Sequence, residues 1–85
     1  MKEYEPLFEG TLTLEQAMDI LRNHSFNPVK QTPFYIVPHI SGKYDLKFRK
    51  RPGGGVSIID PGFKRTVYNE EEFARTALFA LGMWK

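Results

Sequence analysis

Between Gly42 and Gly55 the chain reads GKYDLKFRKRPGGG, and its polarity alternates residue by residue. Tyr44, Leu46 and Phe48 fall on one side of the alternation, and Lys43, Lys47, Arg49 and Arg51 on the other. A side-chain period of two is that of a β-strand with one dry and one wet face. Such a strand cannot stand alone: it needs strands beside it and a second layer over its apolar face. Its basic row is then either a grip for something anionic or the solvated side of a sheet.

Eighty-five residues make one domain, spanning 1–85, because neither half would keep a workable core. A hydrophobic share of 41% with 14% aromatic residues suffices for a packed interior. Cysteine is absent, which excludes thiol catalysis, thiolate metal sites and a disulfide framework. No apolar run approaches the roughly 18 residues of a membrane span. The acidic N-terminus does not have the pattern of a signal peptide, so a soluble cytoplasmic protein is expected.

Charge is unevenly distributed. Residues 21–68 carry nine basic side chains against Asp45 and Asp60, whereas residues 1–20 carry Lys2 against five acidic side chains. The last segment, 69–85, is slightly acidic again. A basic block between acidic ends points to an anionic partner for the middle of the chain.

Residues 1–12 read as an irregular or extended lead-in, interrupted by Pro6 and Gly10. A helix then begins after Thr13, which has Gln16 at the capping-box position and Leu12 and Ala17 at the staple positions. Leu14, Ala17, Met18 and Leu21 form its apolar face, and the helix should stop near Asn23 or His24, before Asn27-Pro28. FYIVPHI (34–40) reads as a strand that Pro38 should hold at an edge or bulge. A three-residue loop, Ile40-Ser41-Gly42, would place Gly42 in the left-handed region and pair Pro38 with Tyr44, Ile36 with Leu46, and Phe34 with Phe48. Even-numbered residues would then be core, and Tyr35, Val37 and His39 would join the basic row. A two-residue loop would reverse the faces of the first strand.

RPGGG is a turn, VSIID (56–60) a third strand, Asp60-Pro61-Gly62 a second turn and FKRTVY a short fourth strand. A second helix follows Asn69 with Glu72 at its box position, Tyr68 and Phe73 at the staple, and Glu70 to Glu72 at the positive end of its dipole. Phe73, Ala77, Ala80, Leu81 and Trp84 form its main stripe. The order α-β-β-β-(β)-α is that of an α+β domain, a small antiparallel sheet with two helices packed on one face.

Basic side chains two residues apart on one strand face have the spacing to follow a phosphate backbone. Lys43, Lys47, Arg49 and Arg51 are the candidate phosphate contacts, Lys64 and Arg65 extend the block, and Tyr35 could stack on a base. The competing explanation is a solvated strand face, lysine being common on edges as a deterrent to aggregation. PGGG lacks the strand-to-helix setting of a phosphate loop and is better read as a hairpin turn. His39, placed on the basic face, could act as a general base on RNA, but neither it nor His24 has a partner at metal-ligand spacing. No metal, cofactor or catalytic set is therefore expected. Phe79 and Met83 fall off the main stripe of the second helix, which suggests burial under the N-terminal segment or a partner surface, a homodimer included.

Two partial likenesses concern topology. The α-β-β-β-α order with a terminal alanine-rich helix resembles double-stranded-RNA-binding domains. Those domains place lysines at the start of the last helix, where this chain has Asn69, Glu70, Glu71 and Glu72. The segment from Phe34 to Leu81 is also similar to the three-stranded DNA-binding domains of phage integrases and plant AP2 factors. Their E-E-x-A opening of the packing helix compares with Glu71, Glu72 and Ala74. Those likenesses imply a basic sheet laid against nucleic acid. The residues favour a small non-enzymatic nucleic-acid-binding domain, of DNA or RNA, such as a phage or mobile-element regulator. An inhibitor or adaptor that binds an acidic protein surface, or uses Phe79 and Met83, is the alternative, and a small nuclease comes third.

Overall fold

The computed structural model describes residues 11–83. Helix α1 runs over Leu14–Asn23, strands β1 to β5 over Val29–Gln31, Phe34–Pro38, Asp45–Lys50, Val56–Asp60 and Phe63–Val67, and helix α2 over Glu70–Leu81. The strands form one antiparallel sheet in sequence order. Both helices lie on one of its faces.

Local signals account for the helix ends. Thr13 accepts a hydrogen bond from the Gln16 N–H while the Gln16 side chain accepts from the Thr13 N–H, a complete capping box. Asn69 accepts from the Glu72 N–H at 2.7 Å. At the other end of α2, Gly82 closes the helix at φ 97°, a left-handed conformation suited to glycine. A Cβ there would also come within 2.8 Å of the His39 ring, so the site needs glycine twice over. The lead-in residues 1–10 and Trp84, the last member of the expected stripe, lie outside the described residues.

The core is one layer between sheet and helices. Tyr35, Val37, Leu46, Phe48, Val56, Ile58 and Val67 from the strands meet Ala17, Met18 and Leu21 of α1 and Phe73, Ala77, Leu78, Ala80 and Leu81 of α2. The Phe48 and Phe73 rings meet edge to face with centroids 5.7 Å apart. Tyr68, expected to staple onto Phe73, is half exposed, and its ring instead lies where a side chain at Gly55 would project.

Three features differ from expectation. The first is β1, a strand of three residues reached through Pro28 and joined to β2 by Thr32 and Pro33. It is too short to display a period. The second follows from the first: β2 lies inside the sheet, with Pro38 at its end, beyond the last β1 pair of Val29 with Ile36. Its missing N–H thus costs no bond to β1.

The third difference is register. His39 donates to the Tyr44 carbonyl, leaving a four-residue loop, 40–43, instead of three. Gly42 takes the expected left-handed conformation at φ 77°. The extra residue pairs Pro38 with Asp45, Val37 with Leu46, Ile36 with Lys47, Tyr35 with Phe48 and Phe34 with Arg49. A slip of one residue reverses every side chain of a strand. The odd-numbered residues of β2 are therefore core, and the even-numbered ones share a face with the basic row.

Candidate nucleic-acid interface

Residues paired across neighbouring strands share a face, so the register defines what the helix-free side of the sheet, the one without a helix among the described residues, displays. One row across it is Val29, Ile36, Lys47, Ile59 and Lys64. The next is Gln31, Phe34, Arg49, Ser57 and Thr66. Pro38 and Asp45 lie at one end. Within β3 the expected alternation holds: Leu46 and Phe48 are buried, and Lys47 and Arg49 are exposed on the opposite side.

Among the described residues, Phe34 is the aromatic residue of this face. The Lys47 ammonium is 5.4 Å from its ring centroid and the Arg49 guanidinium carbon 5.7 Å. Cation–π contacts of this reach contribute about 0.5–1 kcal/mol each at exposed sites. Ile36 and Ile59, half-buried, flank Lys47 across the sheet. Among the described residues, Lys47, Arg49 and Lys64 have no carboxylate within ion-pair distance. Arg22 on α1 is the contrast. It donates a 2.6 Å hydrogen bond to Asp19 Oδ1, which raises its pKa above the ordinary arginine value and uses its charge locally.

The remaining expected site residues lie elsewhere. Tyr35 is only 6% exposed and faces the helices, where its hydroxyl donates to Glu15 Oε2 at 2.9 Å. It is not on the basic face, and Phe34 occupies the aromatic position there. His39 also lies on the helix side. Its ring rests on Tyr44, with centroids 4.6 Å apart, and its Nδ1 accepts from the Ser41 N–H. That position separates it from Lys47 and Arg49, contrary to the expected grouping. Lys64 joins the basic face, but Arg65, one residue on, points to the helices and lies 3.9 Å from Glu72. Lys43 and Arg51 are exposed in the loops that flank β3.

Phe34 escaped the sequence reading because Phe34-Tyr35-Ile36-Val37 is apolar at every position and carries no period. The length of the following loop was the one signal that could assign its faces.

A second surface lies between β5 and α2. Phe63, Arg65, Asn69, Glu71, Glu72, Arg75, Thr76 and Phe79 line a cleft of about 560 Å³. Phe79 is 64% exposed and Met83 47%. The expected burial under the N-terminal segment falls on residues outside the described ones. Phe63, which the sequence reading did not single out, is exposed beside Phe79 in this cleft. Among the described residues no group of three His, Asp or Glu side chains is arranged to hold a metal ion. No described helix is long and apolar enough to cross a membrane.

No family model, no curated protein and no solved structure matches this chain.

Proposed function

We propose that this protein binds nucleic acid through the helix-free face of its sheet. The observation that carries the reading is the group of Lys47, Arg49 and Lys64 on that face, free of ion pairs among the described residues, with Lys47 and Arg49 near the Phe34 ring. Long cationic side chains on a sheet face that carries no helix among the described residues can follow a phosphate backbone, and the released counterions supply the free energy. Lys43 and Arg51, exposed in the loops at either end of β3, extend the positive surface. A role confined to binding is proposed, as a regulator of the kind encoded by phages or mobile elements.

The test is the affinity of wild type and of Lys47→Ala/Arg49→Ala for oligonucleotides over a series of salt concentrations. Each lost cation should reduce the slope of log K against log salt by about 0.7–0.9. Thermal melts should hardly change, because exposed charges contribute at most about 1 kcal/mol. Unchanged slopes, or no wild-type binding even at low salt, would return the row to a solvated strand face.

A second reading is favoured by the exposure of Phe79 beside Phe63, with Met83 also exposed. Apolar side chains gathered on a surface suit contact with another protein, and a second copy of the chain is the simplest partner. Sedimentation at high concentration should then show a dimer that Phe79→Glu dissociates. A wild type that sediments as a monomer makes this surface ordinary.

A further inference from the structure

The geometry points to single-stranded nucleic acid as the ligand of the sheet face, with a base stacked on Phe34. This rests on the nucleic-acid reading and narrows it. Two observations favour single strand over duplex. The first is width. Five strands at a spacing of about 4.8 Å place the axes of β1 and β5 about 19 Å apart. The major groove of B-DNA is about 12 Å wide and admits a helix or a two-stranded ribbon. A sheet of this breadth does not enter it, whereas a single strand can lie across the face.

The second observation is the company the cations keep. A surface that only tracks duplex phosphates needs polar and charged groups. Here Phe34, Ile36 and Ile59 are half-buried around Lys47, and Val29, at the end of the same row, is 54% exposed. Apolar side chains among cations suit the unpaired faces of bases with phosphates alongside, as on single-strand platforms. In the free protein Lys47 and Arg49 rest near the Phe34 ring. A base that takes the ring frees both cations for the flanking phosphates, so one exchange of partners serves stacking and charge together.

The experiment uses three probes: a single-stranded oligo-dT of about twelve nucleotides, its duplex with oligo-dA, and a strand of equal length in which abasic sites replace the bases. Their length lies within the roughly 4–16 nucleotides covered by known single-strand-binding domains. Wild type should bind oligo-dT more tightly than the duplex, and the abasic strand more weakly by roughly 5- to 150-fold per stacked base. Phe34→Ala and Phe34→Leu should both lose that increment on oligo-dT and bind the abasic strand as wild type does. Equal wild-type affinity for oligo-dT and the abasic strand overturns the stacking role, as does duplex binding at least as tight as single-strand binding. In either case dependence on Lys47 and Arg49 would leave the broader reading standing. No binding of any probe at low salt overturns both. Should the Phe34 variants fail to fold, the wild-type comparison of oligo-dT with the abasic strand decides alone.

Discussion

Arg49 and Arg65 are both exposed arginines on strands of one sheet, yet they sit in opposite electrostatic settings. Arg49 lies on the helix-free face with Lys47, Lys64 and Phe34, and among the described residues Asp45 is the acidic side chain there. Arg65 lies on the other face, 3.9 Å from Glu72, and Arg75 nearby is 4.0 Å from Glu71. In the β5–α2 cleft each arginine thus faces a glutamate, and the local charge cancels. On the helix-free face it does not. The difference teaches that the basic block of the sequence is divided by the pleat. Of the two arginines compared, only the one turned away from the helices has, among the described residues, an unpaired charge to offer a partner.

The largest effect is expected where the comparison is tested for independence from the core. Phe48 is fully buried against Phe73, while its neighbours Lys47 and Arg49 are exposed on the other side of β3. Phe48→Ala should destabilise the fold by about 3–5 kcal/mol. Denaturant melts measure this, and a loss below about 1 kcal/mol would mean that the two sides of β3 are not divided as described.

Tyr35→Phe sharpens the assignment of faces. It removes a hydroxyl that donates to Glu15 on α1, a bond whose loss should cost about 0.5–1.5 kcal/mol. Oligonucleotide affinity should stay at the wild-type value, because the ring lies on the helix side. A fall in affinity without a change in stability would restore Tyr35 to the basic face.

The smallest effects belong to the cleft. Arg65→Ala and Arg75→Ala break exposed pairs at the outer limit of ion-pair distance, worth about 0–1 kcal/mol. Neither should alter the salt slope of nucleic-acid binding. A slope reduced as much by Arg65→Ala as by Arg49→Ala would erase the contrast between the two faces.

Much of this was legible in the chain itself. Short-range rules fixed the two helix starts at Thr13 and Asn69, the turns around Gly42, Gly55 and Gly62, and the inward side of β3. Each of these depends on residues within four or five positions, or on a period that polarity displays. Lys47 and Arg49 as an exposed pair belong to the same class. The β1 strand does not, because three residues cannot show a period.

The face of β2 was decided only by the tertiary structure. Four apolar residues in a row allow either side to turn inward, and the choice depends on a four-residue loop in place of three. That loop is tied to α2: the Ile40 N–H donates to the Leu81 carbonyl at 3.0 Å, one of the helix-end acceptors that otherwise lacks a partner. The His39 ring packs against Gly82 at the same helix end. Residues some forty positions apart thus set the loop length, and the loop length sets the face. Tyr35, whose hydroxyl finds Glu15, went inward, and Phe34 was left among the cations. The sequence determined that a basic strand face would exist. Which aromatic ring shares it depended on a contact between the β2–β3 loop and the end of α2, which no local pattern encodes.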